Sequence, residues 1–126
     1  MLPCDVLTQL YELMLQVQKR RNSEYNPKSL GTDYASPEAF AKRHQVHADV
    51  ESLKEALTNL REDQLQYVLA LMWSGRDVLG QEKHDTFEGY IEAAKGERGD
   101  GSIQYITGMN PIADNFMAGI KANTNC

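Results

Sequence analysis

The chain has 126 residues and sets 13 Lys and Arg against 18 Asp and Glu, a net charge of −5, so its overall field repels phosphate backbones and nucleic acid is not an expected partner. With 41% hydrophobic and 25% charged residues it matches an ordinary globular chain, which excludes a wholly disordered or fibrous one. No stretch approaches the ~20 apolar residues needed to span a bilayer, and Met1-Leu2-Pro3-Cys4-Asp5 lacks a basic segment followed by an apolar run; a cytoplasmic protein with no membrane partner is expected.

The first helix is predicted to open near Pro3 to Asp5, where proline suits an initial turn and an acid complements the dipole. Val6, Leu7, Leu10, Leu13, Met14 and Val17 then recur at helical spacing, with Tyr11 and Leu15 widening the stripe. The basic run Lys19-Arg20-Arg21 falls at the expected helix end, where cations offset the dipole. Residues 22–36 contain Asn26-Pro27, Gly31 and Asp33 without sustained periodicity, and read as one long connection. Connections of that length often lead to a swapped element, which suggests that the first helix packs on a partner subunit.

Ser36-Pro37-Glu38-Ala39 is a helix start, and Val50, Leu53, Leu57 and Leu60 continue an amphipathic seam until Thr58-Asn59 weakens it. The next helix is predicted to start around Arg61-Glu62-Asp63-Gln64. It carries Leu65, Tyr67, Val68, Leu69, Ala70, Leu71, Met72 and Trp73, apolar over most of its circumference, which makes it the central helix. Gly75 reads as its terminator, because glycine adopts positive φ without a Cβ penalty.

Beyond a polar connection, Asp85 or Thr86 is expected to cap a short helix with Phe87, Tyr90, Ile91 and Ala94 inward; Gly96 to Gly101 reads as a flexible connector. A short segment over 102–107 ends at Gly108, and Asn110-Pro111 opens a last helix bearing Ile112, Ala113, Phe116, Met117 and Ile120. No segment alternates as a strand. The expected fold is all-α: a single domain over 1–126, a compact bundle of about five or six helices, with a first helix over 1–21, a long loop over 22–36 and a helical core over 37–126.

Candidate chemistry is sparse. Cys4 and Cys126 stand at opposite ends of the chain, read as neither a disulfide framework nor a metal knuckle, and imply a reducing compartment. His44 and His47, three apart on a helix, are the weak metal candidates; two ligands do not make a site, and no cofactor is expected. Glu82, His84 and Asp85 place carboxylates beside an imidazole, but no nucleophile accompanies them and helix capping is the simpler reading. Gly96-Glu97-Arg98-Gly99-Asp100-Gly101 lacks the following Lys-Ser/Thr of a phosphate loop.

Trp73-Ser74-Gly75-Arg76-Asp77 is the richest constellation, with a large aromatic, a glycine, a guanidinium fork and an acid inside five residues. One reading makes Trp73 core and Arg76 a tie to helix-end carbonyls, Asp77 or Asp114. The other makes Trp73, Arg76, Asp77 and Asp114 a ligand site, with Arg76 holding an anion.

Motifs spread along the chain carry a family resemblance: Asn26-Pro27, Leu57-x-x-Leu60-x-x-Asp63-Gln64, Val68-x-Ala70-Leu71-Met72-Trp73-x-Gly75-Arg76, Phe87-x-x-Tyr90-x-x-Ala93, and Tyr105-x-x-Gly108-x-Asn110-Pro111-x-x-Asp114 followed by Gly119. In these the chain resembles a family of small bacterial proteins catalogued only as a domain of unknown function. That family typically reads Trp-x-Gly-Arg-Gly-Asp, whereas here Arg76 is followed directly by Asp77, which implies a shifted loop. The resemblance implies a helical fold and a common Gly-Arg turn and carries over no catalytic role. Function thus stays unknown at this level. The leading expectation is a non-enzymatic protein acting by association, as a homodimer or an accessory or regulatory subunit. The alternatives are a small-ligand (anion) binder or enzyme with a pocket near Trp73 and Arg76, and a metal protein through His44 and His47.

Overall fold

A computed structural model describes residues 2–24, 37–82 and 85–126, with side chains placed at 2–22, 48–82 and 85–126. These residues form six helices and no strand: α1 (Cys4–Glu24), α2 (Pro37–Thr58), α3 (Glu62–Leu79), α4 (Phe87–Ala94), α5 (Asp100–Gly108) and α6 (Ile112–Asn123). The expected all-α bundle is what the chain forms. Helix α1 runs three residues past the expected end at 21, and the rest of the 22–36 connection lies outside the described residues.

The apolar stripe of α1 buries Leu7, Leu10, Met14 and Val17 against α2 and α6 of its own chain. Its hydrophobic face is thus covered by helices of the same chain. Its basic end also acts at a distance and not merely on its own dipole. Arg20 pairs with Asp49 of α2 at 3.2 Å. Arg21 donates to the carbonyls of Thr107 (2.6 Å) and Met109 (3.2 Å), which are left without helical partners where α5 ends.

The break after Thr58 produces the expected hairpin. Arg61 is extended (φ −68°, ψ 160°), and its backbone N–H donates to Gln64 Oε1 at 2.9 Å, one half of a capping box at the start of α3. Asp63 accepts from Arg61 Nε at 3.2 Å, and this hydrogen bond holds its carboxyl below the usual range. Helix α3 then buries residues on nearly every side, from Leu65 through Met72, as a central helix must.

Gly75 does not end α3. The helix continues to Leu79, and Gly75 is buried inside it against α6, the neighbour with which α3 packs most extensively. A Cβ on Gly75 would collide with the backbone oxygen of Asn115, and a Cβ on Gly119 would collide with the backbone oxygen of Leu71. Leu71 and Gly75 on one helix, and Asn115 and Gly119 on the other, are each one turn apart. The two backbones therefore meet along a seam that only glycine permits. The hydroxyl of Ser74 accepts from Asn123 Nδ2 at 2.8 Å and ties the far end of the same pair.

Helix α4 starts as expected, with Thr86 Oγ1 accepting from the Gly89 N–H at 3.1 Å. Asp100 and Gly101, assigned above to a connector, belong to α5, which begins after Gly99 at φ 50°. The start of α6 is capped from α1: Gln18 Oε1 accepts from the N–H groups of Ala113 (2.8 Å) and Asp114 (3.1 Å), while its Nε2 donates to Asp114 Oδ1 (3.1 Å).

The cysteines overturn their sequence reading. Cys4, the first residue of α1, and Cys126, just beyond α6, form a disulfide with Cα atoms 5.6 Å apart. A separation of 122 residues carries no information about distance once α1 lies along α6. The reducing compartment inferred from unpaired thiols loses that support.

Candidate functional site

The last two turns of α3 supply Trp73, Arg76 and Asp77, helical positions three and four apart that share one side of the helix. Helix α4 and the residue pair before it bring Asp85, Gly89, Tyr90 and Ala93, and α5 brings Tyr105. Together these residues line an open groove of about 480 Å³. The sequence-derived candidates Trp73, Arg76 and Asp77 thus meet in one place.

Trp73 and Tyr105 form the aromatic wall. Their rings stand nearly perpendicular, at 81° with centroids 5.9 Å apart, the edge-to-face geometry that aromatic quadrupoles favour. Trp73 is half-buried, whereas Tyr105 keeps 49% of its surface exposed. The polar end is built on Asp77, whose side chain is 19% exposed against 55% for Arg76. Its Oδ1 accepts from Arg76 Nε at 3.3 Å and its Oδ2 accepts from the Tyr90 hydroxyl at 2.7 Å. Tyr90 in turn accepts from the Asp85 N–H at 3.2 Å. Burial, with the Asp77 hydrogen bond second, pushes the Tyr90 phenol above its usual range, so the group is a neutral donor at ordinary pH.

Asp85 Oδ1 accepts from the Thr86 N–H at 2.7 Å, and its carboxylate lies against Gly89, where a Cβ would strike it. Gly89 therefore lets an acid fold over the first turn of α4. Asp85 has no cationic partner among the described residues.

The structural reading of Arg76 holds in part. It pairs with Asp77 within the last turn of α3, and no shifted loop follows it, because residues 76 to 79 remain helical. Asp114 is not with these groups. It sits in the first turn of α6 and is held by Gln18 of α1, away from the groove lining. Of the Glu82, His84 and Asp85 cluster, Asp85 enters the groove, Glu82 is exposed outside it and His84 lies outside the described residues. The side chains of His44 and His47 also lie outside them, and among the described residues no three His, Cys, Asp or Glu side chains gather to hold a metal.

Tyr90, Tyr105 and Gly89 escaped the sequence reading as groove residues. One signal was available for Tyr105. Ile103 and Ile106 mark the buried face of α5, which leaves Tyr105 as a large aromatic off the core stripe.

No helix among the described residues is long and apolar enough to cross a membrane. No curated protein matches the chain, and no solved structure does. The family described as "Protein of unknown function (DUF3775)" matches residues 50–124, a stretch that contains every residue lining the groove and leaves out α1. With more than half of its length matched, the chain belongs to the DUF3775 family of proteins of unknown function.

Proposed function

We propose that the protein acts by associating with another protein, without catalysis, and that the groove bounded by Trp73, Arg76 and Tyr105 is the contact face. The supporting observation is the half-exposed Tyr105 packed on a partly buried Trp73 beside a largely exposed Arg76, because Trp, Tyr and Arg dominate the residues that carry binding energy at interfaces. The openness of the groove favours a protein surface over a small molecule, which needs a concavity enclosing most of its own surface.

The partner is either a second copy, giving a homodimer, or a different chain for which this one is an accessory subunit. The Cys4–Cys126 bond bears on the setting: a cytoplasmic protein would carry these residues as thiols, an exported one as the disulfide. Neither cysteine lines the groove, so both settings leave the contact face intact.

A photo-reactive amino acid at position 105 tests the reading. It is expected to yield a discrete cross-linked protein in cells, whereas the same group at position 54 on α2 yields none. Equal yields from the two positions would contradict a contact face at the groove.

The second reading is a small-ligand pocket, favoured by a volume inside the usual range for ligand sites and by the hydrogen-bonded Asp77–Tyr90 pair. It predicts saturable binding of a small metabolite to the isolated protein.

A further inference from the structure

We infer that the groove receives a cationic side chain, a lysine or arginine presented by the partner protein, seated against the aromatic rings and the carboxylate of Asp85. The inference rests on the reading of the groove as a contact face and names what it recognises.

Charge decides against the anion suggested by Arg76 alone. Three ionised groups line the groove, and Arg76 and Asp77 form a pair through Nε and Oδ1, so their charges largely offset each other. Asp85 is left over, accepting among the described residues only the Thr86 backbone N–H. The local surplus is therefore negative, in a chain that is itself −5. An anion at the Arg76 guanidinium meets the Asp77 carboxylate already paired with it, whereas a cation at Asp85 meets a carboxylate with no cationic partner among the described residues.

The aromatic groups point the same way. Trp73, Tyr90 and Tyr105 all line the groove, and the perpendicular Trp73–Tyr105 pair makes two walls of a corner. Ring faces attract ammonium and guanidinium groups through their quadrupole, and Trp is the strongest of them. The methylene stem of a lysine or arginine also needs apolar surface to lie on, and the rings with Ala93 provide it. An acidic side chain is repelled by the Asp85 carboxylate, and a neutral one can use the apolar surface but not the charge.

The chain carries a built-in reporter, because Trp73 is its sole tryptophan. The probes are three short blocked peptides, acetyl-Ala-Lys-Ala-amide and its Arg and Glu counterparts, titrated against the intact protein while Trp73 emission is recorded. The Lys and Arg peptides are expected to change the emission saturably and the Glu peptide not at all. Raising the salt concentration, or substituting Asp85→Asn, is expected to weaken the Lys peptide about three- to fivefold, the scale of one partly exposed charge pair. Binding of the Glu peptide with silence from the Lys and Arg peptides would overturn the inference on the unmodified protein, whatever the stability of the variant. Silence from all three, with cross-linking from position 105 intact, would overturn the cationic assignment alone; loss of the cross-link as well would remove the contact face itself.

Discussion

Tyr90 donates its hydroxyl to Asp77 Oδ2 at 2.7 Å and accepts from the Asp85 N–H at 3.2 Å, so one phenol joins the end of α3 to the turn that opens α4. Both ends of this bridge line the groove. Tyr90→Phe keeps the ring packed while leaving the Asp85 N–H and one Asp77 lone pair without a partner. A loss of about 1–2 kcal/mol is expected in urea unfolding, together with faster amide exchange at residues 85 to 90. Unchanged exchange in that turn would show that the bridge does not organise the groove.

The same phenol makes stability depend on alkaline pH. Burial raises the pKa of Tyr67 and of Tyr90 above the ordinary value of 10.0, so the folded chain holds these protons more tightly than the unfolded chain. Their contribution is fully present below pH 10 and is lost as pH rises through the folded values. The urea midpoint is therefore expected to fall above pH 10, and the fall should be shallower in Tyr90→Phe.

Glycine at the α3–α6 seam is a matter of space. Gly119→Ala places a methyl group on the Leu71 carbonyl and Gly75→Ala places one on that of Asn115, neither of which can move without separating the helices. Each is expected to cost about 3 kcal/mol or more. Gly108→Ala meets nothing within 4 Å at the end of α5 and should gain about 0.5 kcal/mol. Equal effects at the three positions would refute the close approach.

Cys4–Cys126 closes nearly the whole chain, at a sequence separation of 122. In the chain-entropy picture a link of that span stabilises by about 5 kcal/mol, chiefly by restricting the unfolded state. Thermal unfolding with and without a dithiol reductant should differ accordingly in the wild type, and reductant should have no effect on Cys126→Ser. Matching melting temperatures under both conditions would show that the bond constrains nothing.

The fold was legible wherever a pattern was local. Helical periodicity located all six helices, the hairpin break at Thr58-Asn59 and the Thr86 cap, because these depend on neighbours a few residues apart. Gly75 was misread for the opposite reason. A glycine that ends a helix and one that admits a second backbone look identical in sequence, and the difference lies in Gly119, forty-four positions further on (75 against 119). Gln18 capping α6 and Cys4 meeting Cys126 were hidden in the same way, since both require knowing that α1 lies beside α6. At the groove, Trp73, Arg76 and Asp77 were visible as a dense local string. Tyr90 and Tyr105 come from other helices, and only packing brings them to it.

The most direct test of the groove as a contact face is the affinity of the partner recovered by cross-linking at position 105, measured by calorimetry with purified wild type and with Tyr105→Ser. Tyr105 is half exposed and packs its ring edge-to-face with Trp73, so the substitution alters the face while leaving the core in place. The account predicts at least about tenfold weaker binding, the loss of roughly 1.4 kcal/mol or more that marks an interface anchor. Equal affinity of the two proteins, with Tyr105→Ser folded as the wild type, would contradict it.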